Sequence, residues 1–424
     1  MFGWENLQSL TGVALSIAVC WALSESRRRF PWKLLIGSIL VQLALIFLLF
    51  GLPQSRGVVQ GLNGGVDALG QATAQGVQFV FGYLAGGAQP YAVTDASALF
   101  IFAFDVLPLI IVVSTLSALL WHWGVLKLVM RGFGVVFQKT LGLGGASAFS
   151  SATNIFLGNV ECALVIKGYL PKLTRSELFL MITLGMATMA GSTMVAYATI
   201  LHQAVPDAAA HVIAASIISA PAGILLARIL VPEKPEHLEQ AVDYNSLLKY
   251  NSTIDAISTG VSDGLNIALN VGATLIAFVS LIAIANSLLG VLPHPGGAAL
   301  SVQRVLGWVF APLAWSVGVP WKEAAAAGDL LGVKLVLTEL IAIVDLAKEP
   351  QLAPRTRIIM TYALCSFANI GSVGIIASGF GVLMPDRRQE ILGLMWKGLL
   401  GGFLATIMTA GLIGALPGRL FGVG

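Results

Sequence analysis

The chain has 424 residues, 57% of them apolar and only 11% charged, with 24 Lys and Arg against 21 Asp and Glu. Soluble domains carry about 25% charged residues, and a mean hydropathy of +0.86 excludes a large soluble core. The spacing of the charges decides the class. Uncharged stretches run 6–24, 34–55, 68–94, 106–126, 178–206, 208–227, 264–303, 358–385 and 398–418. As a helix, each is long enough to cross a hydrocarbon layer roughly 30 Å thick. The pattern predicts an all-α polytopic membrane protein. Three cysteines, Cys20, Cys162 and Cys365, lie in apolar surroundings and imply no disulfide framework.

The first uncharged stretch is followed, not preceded, by Arg27-Arg28-Arg29 and Lys33. That order predicts a retained span rather than a signal peptide. The basic loop is then cytoplasmic and residue 1 outside. Span 1 covers about 6–24 and span 2 covers 34–52. The Gly-rich segment 53–94 sets Val58, Leu62, Val66, Leu69, Val77 and Val80 along one stripe, with Gln60, Asn63, Gln71 and Gln75 elsewhere. This predicts a helix lying on the membrane surface, with a docked loop as the competing reading.

Span 3 (98–121) leads to the basic residues Lys127, Arg131 and Lys139. Region 140–172 then brings Asn154, Asn159 and Glu161 together. A lipid-facing helix would not do so, whereas a re-entrant hairpin buried in protein can. Spans 178–203 and 208–228 follow, then a polar linker (232–256) and a long span (264–290). Region 303–347 again mixes apolar residues with Lys322, Glu323, Asp329, Lys334, Glu339 and Asp345, and reads as a second hairpin. Spans 358–380 and 390–415 complete the chain, leaving both termini outside. The domain reading is an N-terminal scaffold portion 1–132, a first repeat 133–230, a linker and long helix 231–302, and a second repeat 303–424.

The repeat rests on a shared pattern. Glu161 is followed by Thr174-Arg175 and Gly191-Ser192, and Glu339 by Thr356-Arg357 and Gly371-Ser372. The distance from Glu to Gly-Ser is 30 residues in one copy and 32 in the other. One span between the copies inverts them in the membrane. Inverted repeats with interrupted helices point to a secondary transporter whose site lies near the midplane.

A carboxylate at membrane depth is expensive, by roughly 2.5 kcal/mol or more. Glu161 and Glu339 therefore suggest a polar solute or proton pathway, or else structural pairs with Lys167 or Lys334. Asn369 and Ser372, three apart, read as one helix face, with Phe367 as a flat apolar wall. Carboxylate, amide and ring together suit a polyhydroxylated ligand, although Asn and Ser also serve as helix-packing glue. Asn154, carbonyls freed near Gly158 and the Thr188 hydroxyl suggest an oxygen-only cage for a hard monovalent cation. The Gly142–Gly145 stretch lacks the lysine of a phosphate loop. His122, His202, His211, His237 and His294 show no metal-ligand spacing. No enzyme, organic cofactor or nucleic-acid partner is expected.

The ordered blocks resemble the concentrative nucleoside transporter family over roughly residues 98–416. They are Phe102-Ala103-Phe104 through Pro108, Asn154–Gly158 with Glu161, Thr174–Phe179, Asn270–Ala273 with Leu275–Phe278, Phe310–Trp315, Gly318–Trp321, Lys334–Glu339 and Phe367–Ser372. The resemblance implies a homotrimer in a cell membrane of the bacterial inner-membrane type. Each protomer would have eight transmembrane helices, an interfacial helix and two opposed re-entrant hairpins. It also implies ion-coupled nucleoside uptake, with a transport domain moving past a trimeric scaffold. Ribose would be held by Glu339, Phe367, Asn369 and Ser372. The cation would sit on Asn154, the Leu157 carbonyl, Thr188 and the Met189 carbonyl, which favours sodium over protons.

The base-reading stretch departs from the family. Where the family has Gly-Gln-Thr/Ser-Glu, this chain has Gly158-Asn159-Val160-Glu161, with Thr193 on the same side. Asn is one methylene shorter than Gln, and Val lacks the Thr hydroxyl. A lost hydrogen bond at a buried polar contact costs about 1–3 kcal/mol. The expected solute is therefore a nucleoside other than uridine, or a non-nucleoside ribosyl or sugar-like solute. A passive channel is the alternative mechanism.

Overall fold

Inside hydrocarbon every backbone amide and carbonyl must find its partner within the protein, which favours helices for a chain this apolar. A computed structural model describes residues 3–52, 54–92, 101–158, 162–163, 165–166, 169–233, 249–291, 299–349 and 351–423. All regular structure among these residues is helical. The base-reading residues Asn159, Val160 and Glu161, and Lys167, lie outside the described residues.

The N-terminal part supplies α1 (Trp4–Ala22), α2 (Trp32–Ile46), α3 (Ser55–Phe81), the short α4 (Phe102–Asp105), α5 (Leu107–His122) and α6 (Val125–Leu141). Then come α7 (Gly145–Asn154), α8 (Arg175–Ala187), α9 (Gly191–Leu201) and α10 (Ala208–Leu230). A single long helix, α11 (Thr253–Leu289), precedes α12 (Val302–Ser316), α13 (Trp321–Val336), α14 (Glu339–Lys348), α15 (Pro354–Leu364), α16 (Ile370–Leu383) and α17 (Arg388–Ala415). Among the described residues, six helical segments are long and apolar enough to cross a membrane. A seventh is added if α12 and α13, bent by 115° at their junction, count as one span.

Segment 53–94 yields α3, one helix of 27 residues, so the helical reading holds against the docked loop. Asn63 Nδ2 of α3 donates to Asp207 Oδ1 at the turn before α10 (2.8 Å).

Two expected spans prove to be interrupted. The span expected at 178–203 breaks at 188–190 between α8 and α9, and the one expected at 358–380 breaks at 365–369 between α15 and α16. After each break a Gly-Ser pair lies in the first turn of the second half-helix. The Thr-Arg pairs are not equivalent. Thr174 caps α8, accepting from the Glu177 amide while Glu177 accepts from the Thr174 amide. Thr356 instead sits within the first turn of α15, whose cap position is Ala353.

Burial separates two kinds of helix. Of their most apolar stretches, 94% is buried in α10 and 89% in the segment containing α17, but only 6% in α11. A helix apolar and buried all round belongs at the centre, and α10 and α17 pack there against α8 and α15. The long α11 packs on α5 through glycines. A Cβ on Gly260 would stand 2.7 Å from the Thr115 Cα, and one on Gly264 would stand 2.6 Å from the Ile111 Cα. Close backbone approach through small residues is how helices pack where no hydrophobic drive separates protein from lipid.

Helix α1 is held at both ends by polar contacts to distant helices. Beyond its C-terminus, Glu25 pairs with Arg175 at the start of α8 (2.9 Å) and with Lys397 of α17 (3.0 Å). Near its N-terminus, Glu5 pairs with Arg355 in the first turn of α15 (3.0 Å). Between them, Asn6 donates to the Gly414 and Leu416 carbonyls, and Gln8 to those of Trp315 and Val319.

Two outcomes follow from this packing. Gly264→Ala drives a Cβ into the α5 backbone and should lower stability by about 1–3 kcal/mol, read as a fall in the thermal midpoint of the purified protein. At the loop after α1, hydrogen bonding to Arg175 holds the Glu25 carboxyl below its ordinary 4.5. Its contribution is therefore complete above pH 4.5 and is lost as the pH falls below that value. The stability gap between wild type and Glu25→Gln should be present at neutral pH and close in acid. A gap that persists in strong acid would contradict this.

Candidate functional site

The surroundings of Glu339 are built from two broken helices. Helix α13 ends at Val336, Leu337 leaves helical geometry, and Thr338 caps α14 by accepting from the Ile341 amide (3.3 Å). Glu339 is thereby the first residue of α14, where the helix dipole favours negative charge. Its carboxylate is 5% exposed and takes two donors, Tyr197 Oη on Oε1 (2.8 Å) and Asn369 Nδ2 on Oε2 (2.5 Å). The carbonyl end of the same Asn369 side chain caps α16, accepting from the Ser372 amide at 2.7 Å. The spacing of Asn369 and Ser372 thus arises from a cap, not from one face of a continuous helix. Phe367 lies half-buried in the break at 365–369.

Helix α7 ends at Asn154. Thr188 Oγ1 stands 2.8 Å from both the Asn154 and the Leu184 carbonyls, with one proton to offer them. The Met189 amide donates to Ser216 Oγ (3.2 Å), and that hydroxyl in turn donates to the Ile155 carbonyl (3.3 Å). Asn154 turns its amide nitrogen back to the Ser150 carbonyl (3.3 Å). Leu157 lies half-buried just beyond, its amide bonded to the Thr153 carbonyl. Asn154, Thr188 and Met189 are therefore one buried cluster of neutral oxygen-bearing residues. A carbonyl and hydroxyl set of this kind suits a hard monovalent cation. Among the described residues, no group of His, Cys, Asp and Glu could hold a transition metal.

The breaks pair with one another. The Gly191 amide donates to the Phe156 carbonyl (2.9 Å), and the Phe367 amide donates to the Thr188 carbonyl (3.2 Å). Thr193, buried in the first turn of α9, donates to the Ala190 carbonyl (2.8 Å). Beside these breaks lies a half-open cavity of about 70 Å³. Phe156–Gly158 and Ala190–Ser192 line one wall, and Ser114, Ser117 and Trp121 of α5 with Asp263 of α11 line the other.

Two contributors, Tyr197 and Ser216, escaped the sequence reading. Tyr197 lies four residues after Thr193, on the same face of α9, which is the signal that was present. Ser216 stands in an uncharged run of small residues and carries no such signal. Lys334, read as a possible direct partner of Glu339, instead donates to the Ala363 carbonyl and to Thr406.

Comparison with known proteins gives a consistent answer. Residues 211–414 match the family described as Na+ dependent nucleoside transporter C-terminus, residues 11–84 its N-terminus, and residues 103–204 a nucleoside recognition family. The nucleoside permease NupC of Helicobacter pylori is 36% identical over 422 residues, covering 98% of this chain and 99% of that protein. Solute carrier family 28 member 3 of Homo sapiens is 29% identical, covering 98% of this chain and 60% of that protein. A solved structure of CNTnw in an inward-facing substrate-bound state superposes with a TM-score of 0.87, at 36% identity and 97% coverage of both chains.

The double use of Asn369 can be tested by stability alone. Asn369→Ala removes the α16 cap and should cost about 0.5–2 kcal/mol. Asn369→Asp keeps the cap but sets a second carboxylate against Glu339, a like-charge contact. Its thermal midpoint at neutral pH should fall further than that of the alanine variant.

Proposed function

The chain belongs to the concentrative nucleoside transporter family, and on that premise we propose that it is a secondary active transporter. It takes up a nucleoside or nucleoside-like ribosyl solute together with a cation, sodium in preference to a proton. The family transports nucleosides and is not a family of enzymes. The observation that carries the reading is the buried Glu339 carboxylate, hydrogen-bonded to Tyr197 and Asn369 and one break away from the Asn154–Thr188 cluster.

Each group has a task in this scheme. The Glu339 carboxylate accepts from ribose hydroxyls, and Asn369 and Ser372 supply further polar contacts. The Phe367 ring packs on the carbon face of the sugar. Thr193, Asn159, Val160 and Glu161 read the base side. Sodium is held by the oxygens of Asn154, Leu157, Thr188 and Met189, with Ser216 beside them. The Phe367–Thr188 backbone bond joins the cation cluster to the sugar cluster, and coupling through such a contact acts equally in both directions.

The rest of the scheme is membrane geometry. The two repeats enter as opposed re-entrant hairpins, giving eight spans with both termini outside. Alternating access moves the repeats (133–230 and 303–424) past a scaffold formed by α5 and α11. The apolar residues exposed on α11, including Leu269, Ile276 and Val279, face lipid and neighbouring copies in a homotrimer of the bacterial inner membrane.

The test is uptake of labelled nucleosides into proteoliposomes with and without a sodium gradient. Accumulation should follow the gradient, and its absence for every nucleoside would remove the proposal. Glu339→Gln should raise the KM of all ribosyl solutes roughly 10- to 100-fold, since bonds to a charged group contribute about 1.5–3 kcal/mol. Asn154→Ala should abolish the sodium dependence while sparing the protein fold. Replacing Asn159-Val160 by Gln-Thr should shift selectivity towards the common pyrimidine nucleosides; an unchanged order of preference would refute the reading of that stretch.

A further inference from the structure

One buried charge has no task in the scheme above. Lys334, in the last turn of α13, is fully buried. Its ammonium donates to the Ala363 carbonyl (2.6 Å) and to Thr406 Oγ1 (2.9 Å), and stands 5.4 Å from the centre of the Phe403 ring. Among the described residues no carboxylate lies in salt-bridge contact with it. Glu339 lies five residues further on, at the start of α14, and its carboxylate is taken up by Tyr197 and Asn369. The ammonium is thus held chiefly by neutral oxygens, as a bound metal cation would be.

The position of those oxygens is specific. Ala363 belongs to the last turn of α15, where the break leaves carbonyls without an intrahelical donor. The amide that would have closed the turn, that of Phe367, donates to Thr188 instead. The C-terminal end of a half-helix also carries the negative end of its dipole, which favours a cation.

The first copy arranges the same three elements around its own break. The end of the leading helix supplies Asn154, the end of the half-helix supplies Thr188, and the long following helix supplies Ser216. In the second copy the corresponding elements supply Lys334, Ala363 and Thr406. The described residues of the first cluster are all neutral, whereas the second brings its own positive charge.

We propose that the Lys334 ammonium is a tethered cation that fills, in the second copy, the place an external cation takes in the first. The protein therefore couples to one external cation per solute. The inference rests on the reading of the Asn154–Thr188 cluster as a coupling-cation site. Both an ammonium and a sodium ion are satisfied by carbonyl and hydroxyl oxygens, so removing the lysine while leaving its oxygens creates a vacancy that a small cation can enter.

The full-length protein in proteoliposomes and in detergent provides the test, using whichever of labelled uridine, cytidine, adenosine and guanosine the wild type accumulates. Wild type should show a Hill coefficient for sodium of about 1 and move one charge per nucleoside. Lys334→Ala should bind nucleoside roughly 100-fold more weakly at low sodium. Sodium or methylammonium should restore that binding, with sodium now acting at a Hill coefficient of about 2. Lys334→Met, which fills the vacancy with an uncharged chain, should show the loss without the rescue. Wild-type affinity and steepness in Lys334→Ala, or a loss that neither cation restores, would overturn the proposal. So would two charges per nucleoside in wild type, which decides the matter even if the alanine variant does not fold. Wild-type uptake indifferent to sodium would overturn the coupling reading itself, and with it this inference.

Discussion

A helix broken inside a membrane exposes amides and carbonyls that lipid cannot satisfy, and this protein satisfies them by setting its breaks against each other. Phe156 accepts from Gly191, and Thr188 accepts from Phe367. Asn369 caps one half-helix while donating to the acidic residue that opens another. The polar groups left orphaned at four interruptions become one connected network at the centre of an apolar fold. Remove that constraint and there is no reason for Asn154, Thr188, Glu339 and Asn369 to be neighbours.

The network also explains the division of labour among helices. Helices α10 and α17 are buried on almost every side because they pack behind the breaks and complete their polar contacts through Ser216 and Thr406. Helix α1 is fastened to α8 and α17 through Glu25 at one end and to α15 through Glu5 at the other. Helices α5 and α11 are joined by glycine contacts and line the cavity beside the breaks, and α5 also packs on α9.

Much of the site was legible in the sequence, because the groups concerned announce themselves. A carboxylate such as Glu339 in an apolar stretch is costly enough to be noticed, and Asn369 and Ser372 stand out in an uncharged run. What that reading mistook was their local geometry. The run 358–385 carries no charge to mark a break, so it looked continuous, although an Asn three residues before a Ser is also the spacing of a cap. Tyr197 and Ser216 were missed for a different reason. Their partners lie 142 and 27 residues away in the chain, and an uncharged hydroxyl gives no sign of which acceptor it will meet.

Sequence alone was sufficient for the membrane-spanning helical class and the resemblance to the family, and it singled out Glu339, Asn369 and Thr188 as polar groups in apolar runs. These follow from composition, periodicity and short motifs, which are local properties of the chain. Only the tertiary structure decided that two spans are interrupted, which hydroxyl meets which carbonyl, and that Lys334 sits at the end of a half-helix rather than on Glu339. Those outcomes depend on pairing between segments far apart in the chain, where the cost of an unsatisfied polar atom in a low-dielectric interior selects one arrangement among many that the same residues would permit.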